Sequence, residues 1–188
     1  MKSQIPNPKS QKKKIAVIGP SNIERVAEAA GVSAALIREM AAEAGRLLAA
    51  AGFELVVVPD QGVPVIAAQA YRDAGGKKVF GLIPASGSSA KGATSRVQRN
   101  SRLCDETLSD LTWLEQHARI VELADAMICV GLSCGTICEI AWTKWTKRIP
   151  VYIIRGLSTA IPPEIAAETD LHCCDSVEEA VASLGASS

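Results

Sequence analysis

Aromatic residues make up only 4% of the 188-residue chain, and histidine occurs twice. With so few rings the core must be aliphatic, and a Ser/His/Asp triad or a histidine metal cage has almost no material. No run approaches the roughly 20 uninterrupted apolar residues of a membrane span, so no membrane role is expected. The formal net charge is zero, and the chain as a whole has no field to attract polyanions. The charge is unevenly spread, however. Lys2, Lys9, Lys12, Lys13 and Lys14 fall in a segment without acids, and the rest of the chain carries a net charge of −5. Nucleic-acid binding would rest on that segment alone and is not expected. The polar N-terminus lacks the apolar core of a secretory signal. Six cysteines in a chain of this length do not make a small disulfide scaffold. A reduced, cytoplasmic protein is the expectation.

What is present is apolar content of 48% against 21% charged residues, enough for one sizeable core. Residues 1–13, with Pro6 and Pro8, read as a flexible basic tail, and residues 14–188 as a single domain. Short β-branched runs alternate with helical patterns. Strands are predicted at Lys14–Ile18, Phe53–Val58, Lys78–Ile83, Asp125–Val130, Ile149–Ile154 and near Leu171–Cys173. The clearest helix starts at a Ser33 cap, carries Leu36, Ile37, Met40, Ala44, Leu47, Leu48 and Ala51 on one face, and stops at Gly52. Further helices are expected at Val63–Ala74, Leu111–Leu123, Thr136–Lys147 and Val177–Leu184. Residues 85–103, small, polar and basic, read as a long loop. Continuously apolar strands alternating with helices predict a three-layer α/β domain: a mostly parallel sheet with helices on both faces. Ligands of such sheets lie beyond the carboxyl ends of the strands. That directs attention to the turns at Gly19–Ser21, Pro59–Val63 and Gly131–Thr136.

The segment Val130-Gly-Leu-Ser-Cys-Gly-Thr-Ile-Cys-Glu139 joins a buried strand to a helix. Gly131 and Gly135 allow close backbone approach, and the first helical turn offers free N–H groups at the positive end of the dipole. Leu132, Ser133 and Cys134 complete the turn, which has the makings of an oxyanion cradle. Thr136 followed by Glu139 also fits a capping box, a purely structural role compatible with the first.

Gly135-Thr136 followed by Glu139 resembles the P-G-G-x-G-T-x-x-E signature of the Lonely Guy (LOG), lysine-decarboxylase-like family of the SLOG superfamily. Ile15-Ala-Val-Ile-Gly-Pro-Ser21, Gly62-Val63, Ala74-Gly75-Gly76, Val79-Phe-Gly-Leu-Ile-Pro84 and Ala124 to Val130 agree with it in order and spacing, over roughly residues 14–154. The closer likeness is to the branch that includes molybdenum cofactor carrier proteins. The resemblance implies a Rossmann-like fold that binds a phosphorylated, nucleotide-like ligand, a bound nucleotide or molybdenum cofactor being concrete versions, without a required cofactor. It implies ligand-binding residues Gly19, Pro20, Ser21, Gly62, Gly131, Leu132, Ser133, Cys134, Gly135, Thr136 and Glu139, and a homodimer or higher homo-oligomer. LOG enzymes are phosphoribohydrolases that release a base from a nucleoside 5′-monophosphate, pairing the signature glutamate with an arginine on the preceding helix. Here that position is Gln116, and Arg119 three residues on shares its helix. A catalytic role for Glu139 and Arg119 is therefore the alternative to binding. Gly131-Leu132-Ser133 stand where the enzymes have Pro-Gly-Gly, and Asp60-Gln61 replace a usual glycine pair. These departures favour binding over catalysis.

The spacings of Cys129, Cys134, Cys138, Cys173 and Cys174 fit no standard zinc site, so no metal is expected. His117 sits on the helix expected to face the cleft. Arg96, Arg99 and Arg102, with Lys91, form either a solvated basic surface or a clamp for a multiply charged ligand. Of Trp142 and Trp145, one is expected in the core and the other exposed at a subunit contact.

Overall fold

The computed structural model describes residues 12–84, 93–159 and 161–186. The basic tail and Lys91 therefore lie outside the described residues, except for Lys12 and Lys13. Seven strands form one wholly parallel sheet: β1 (Lys14–Ile18), β2 (Glu54–Val57), β3 (Val79–Leu82), β4 (Glu106–Leu108), β5 (Ala126–Cys129), β6 (Val151–Ile154) and β7 (Leu171–Cys174). Their order across the sheet is β4-β3-β2-β1-β5-β6-β7. Ile15 pairs with Leu55 on one side and Ala126 on the other, so β1 is the central strand.

Two apolar layers follow from strand alternation. Ile15, Val17, Leu55, Val57 and Ile128 point to the face covered by α1 (Ile23–Ala30), α2 (Ala34–Ala51), α3 (Val63–Asp73) and α8 (Val177–Ala186). Ala16, Ile18, Val56 and Met127 point to the other. That face is covered by α4 (Ala93–Asn100), α5 (Gln116–Leu123), α6 (Cys134–Trp145) and α7 (Pro163–Glu168). The Rossmann-like three-layer expectation holds.

The Ser33 and Gly52 boundaries hold as well: Ser33 Oγ accepts from the Leu36 amide, and Gly52 closes α2 in the left-handed conformation. The buried stripe of α2 is Ile37, Ala41, Ala44, Gly45 and Leu48, while Leu36 and Ala51 of the expected face are exposed. Small residues in the stripe let α3 approach closely.

Two expectations need correction. Residues 93–100 of the predicted loop are the helix α4, followed by a 3₁₀ turn at Ser101–Leu103 and the strand β4. Helix α1 is capped by the Asn22 side chain, which accepts from the Arg25 amide. Neither Trp142 nor Trp145 is in the core; they are 40% and 72% exposed.

Among the described residues no helix is long and apolar enough to cross a membrane, and no group of three His, Cys, Asp or Glu side chains converges as a metal site.

Candidate functional site

The chain lays down β1 through β4 toward one edge and then returns to place β5 on the other side of β1. The reversal leaves a crevice at the carboxyl ends of β1 and β5, the place where α/β sheets bind ligands. A cavity of about 760 Å³ opens there. Its walls include Gly19, Pro20, Ser21, Leu132, Ser133, Cys134, Gly135, Thr136 and Glu139, residues singled out from sequence.

Two further glycines shape the cavity without lining it. Gly62 opens α3 at φ 66°, and a Cβ there would lie 2.6 Å from the Ser21 carbonyl oxygen. Gly131 turns the chain out of β5 at φ 87° against the Pro20 ring.

The start of α6 differs from the expected arrangement. Ser133, in an extended conformation, is the cap: its Oγ accepts from the Thr136 amide at 3.3 Å, and its own amide donates to Thr136 Oγ1 at 2.5 Å. The reciprocal box is thus Ser133 with Thr136, and not Thr136 with Glu139. The helix begins at Cys134, which moves Glu139 into its second turn. The amides of Cys134 and Gly135, the first two helical positions, have no partner among the described residues.

Glu139 is 7% exposed and faces α5, where His117 Nδ1 lies 3.6 Å from its Oε1. Burial pushes the Glu139 carboxyl above its ordinary range, and His117 acts in the opposite direction. Gln116, the family's arginine position, is 6% exposed, with Nε2 3.1 Å from His117 Nε2. Its Oε1 is buried without a partner, as is Ser158 Oγ in the loop after β6. Both residues line the cavity. Buried polar atoms without partners are rare and costly, and here two belong to residues of one cavity wall.

Arg119 is not brought to the site. It is half exposed and pairs with Glu122 at 2.7 Å, outside the cavity wall. The helix buries Gln116, Ile120 and Val121, and Arg119 falls off that arc. Nor do the loop arginines form a clamp: Arg96 pairs with Asp60, and Arg99 and Arg102 are exposed and off the cavity.

Sequence reasoning missed Arg25 and Val26 of α1, Trp113, and Leu157, Ser158 and Thr159 after β6. For the β6 loop a signal existed, since neighbouring parallel strands end on the same side. Arg25 is exposed at the cavity wall, and its guanidinium has no partner among the described residues.

The fold is shared with solved structures. The molybdenum cofactor carrier protein of Chlamydomonas reinhardtii is 20% identical, with TM-score 0.69 over 94% of this chain and 98% of that one. The molybdenum cofactor binding protein of the phototrophic bacterium Rippkaea orientalis is 20% identical, with TM-score 0.72 and the same coverage of both chains. DNA processing protein A of Helicobacter pylori is 13% identical, with TM-score 0.64 over 93% of this chain and 80% of that one. At these identities the likeness establishes the fold, which carries more than one task. No curated protein matches the chain. The SLOG cluster4 family profile matches residues 12–181, and the chain belongs to that family.

Proposed function

We propose that the protein binds a phosphorylated, nucleotide-like small molecule in this cavity, as a carrier or sensor. The phosphate rests on the Cys134 and Gly135 amides at the positive end of α6, with Arg25 as a mobile counter-charge. The ribose or pterin portion extends past Gln116 and Glu139 toward Pro20 and Ser21. One observation carries the reading: the two unpaired helix-start amides of α6 border the same cavity as the exposed Arg25, and Gln116 and Ser158, each with a buried side-chain atom that has no partner, belong to its wall.

Molybdenum cofactor, a phosphorylated pterin, is the concrete candidate, supported by the two structures of that name that share the fold. Oligomerisation is part of the proposal. Ile137, Trp142 and Trp145 leave apolar surface on α6 that a second copy would cover.

The hydrolytic alternative has less support. Glu139 faces a histidine rather than an arginine, at 3.6 Å, and Arg119, the substitute for the family arginine, is bound to Glu122. A buried carboxyl of raised pKa in the cavity wall still suits a ligand's hydroxyl group.

Native mass spectrometry of freshly purified full chain is expected to find a co-purifying phosphorylated molecule. The direct test is Cys134→Pro. Proline is well accommodated at the first helical position after an extended residue, so folding survives while one amide donor disappears. Calorimetric titration should give a phosphate affinity several-fold weaker than wild type, at unchanged melting temperature. Equal affinity would remove α6 from the site. Sustained release of free base from AMP, lost in Glu139→Ala, would replace the carrier with an enzyme.

A further inference from the structure

The anion site leaves Asp60 without a role. Asp60 lines the cavity from the loop after β2, with its side chain only 12% exposed. It is held from behind by α4: Arg96 Nε donates to Oδ1 at 2.6 Å and Nη2 to Oδ2 at 3.2 Å. The same helix fixes the backbone, because Asn100 Nδ2 donates to the carbonyls of Pro59 at 3.0 Å and Asp60 at 2.8 Å. An ionised carboxylate offers about four acceptor sites, and Arg96 takes two. The remaining acceptor capacity is held in a fixed orientation on a residue of the cavity wall, an arrangement suited to selecting a donor.

Strand order supplies the ruler. The loop after β2 holds Asp60, the loop after β5 holds the free amides, and β1 lies between them. Two strand spacings make roughly 10 Å. A phosphate at the start of α6 thus avoids the negative charge of Asp60, while the far end of a sugar–base or pterin skeleton reaches it.

We propose that Asp60 is a specificity-determining residue: it accepts a hydrogen bond from an N–H or O–H group of a ligand whose phosphate lies two strands away at the start of α6. It thereby selects monophosphates with distal donors over those without. This rests on the phosphate-binding reading above. It differs from a purely structural role, in which the Asp60–Arg96 pair only fastens α4 and changing it alters stability but not selectivity.

The test is calorimetric titration of the full chain with inorganic phosphate, adenosine monophosphate, its 2′,3′-dideoxy analogue, purine riboside monophosphate and a hydroxyalkylpterin monophosphate. Wild type and Asp60→Asn are compared. At least one donor-bearing monophosphate should bind wild type about tenfold or more tighter than inorganic phosphate, as a hydrogen bond to a charged group implies. Asp60→Asn should erase that gain and leave inorganic phosphate affinity within about twofold. The dideoxy and purine riboside analogues separate hydroxyl from amine as the donor. A gain that survives Asp60→Asn overturns the assignment, and so does the absence of any gain over inorganic phosphate. Wild type that binds no phosphate at all instead sinks the anion site beneath it. Should Asn at this position prevent cooperative folding, Asp60→Glu reads the same contrast, since it keeps the charge for Arg96 and moves the carboxylate by one methylene.

Discussion

On one face of the sheet, α1, α2, α3 and α8 bury aliphatic side chains such as Ile37, Leu48 and Val177. Tyr71, one of two buried tyrosines there, is satisfied at both ends of its hydroxyl: it donates to the Phe53 carbonyl at 2.8 Å and accepts from the Lys78 amide at 3.2 Å. On the other face, α5 and α6 bury Gln116, Thr136, Glu139 and Thr143. There Gln116 Oε1 has no partner, and Glu139 has only a 3.6 Å approach to a histidine. A sequence selected only for stability would treat the two faces alike, since unpartnered buried polar atoms cost free energy wherever they occur. The difference marks the α2–α3 seam as scaffold and the α5–α6 pair, at the carboxyl end of the sheet, as the polar wall of the site.

The largest effect belongs to the scaffold face. A Cβ on Gly45 would sit 2.8 Å from the Tyr71 nitrogen and closer still to the Ala67 carbonyl oxygen. Gly45→Leu must therefore force α2 and α3 apart, at a cost on the order of 3 kcal/mol or loss of folding, measured by chemical denaturation. A cost below about 1 kcal/mol would mean the helices are not so tightly seated.

Glu139→Gln should have the opposite sign. Burial holds the Glu139 pKa above its unfolded value, so the folded state keeps the proton more tightly. The protein then loses stability as pH rises through that raised pKa, and the advantage of the protonated form is complete below the ordinary glutamate value. The glutamine variant lacks this decline. Its melting temperature should exceed that of wild type at neutral pH, with the gap closing near the ordinary glutamate pKa. A gap independent of pH would assign the effect to packing.

Ser158→Ala is expected to be smallest in stability, within about 1 kcal/mol of wild type, because the hydroxyl has no protein partner to lose. Its phosphate affinity should nonetheless fall. A variant less stable by more than that would show that the hydroxyl already has a structural partner, and would blur the distinction between the two faces.

The same distinction explains how much could be read from the chain. Central strands and the Ser33–Gly52 helix were legible because their signals are local: continuous β-branched runs, a 3.6-residue stripe, a serine cap and a glycine stop. Helix α4 was not, because Ala93 and Val97 are its buried residues, too few to fix a period. The edge strand β4 is three residues long and mostly exposed. At the site, the turn from Gly131 to Thr136 was found from composition, but its cap was misassigned. Ser133 and Thr136 are both competent caps three residues apart, and local chemistry does not choose between them. Arg119 failed for a related reason: spacing along a helix says which residues are neighbours, and only tertiary packing says which side is buried. Asp60 and Arg96, distant in sequence, meet only through the fold.

The central claim is that the first two amides of α6 are left free to receive an anion. Its most direct test is to titrate isotope-labelled protein with inorganic phosphate and follow each backbone amide. The account predicts saturable shifts largest at Cys134 and Gly135, shared by Ser158 and Arg25, with the α2–α3 amides unmoved. Shifts concentrated elsewhere, or none at either amide up to saturating phosphate, would contradict it.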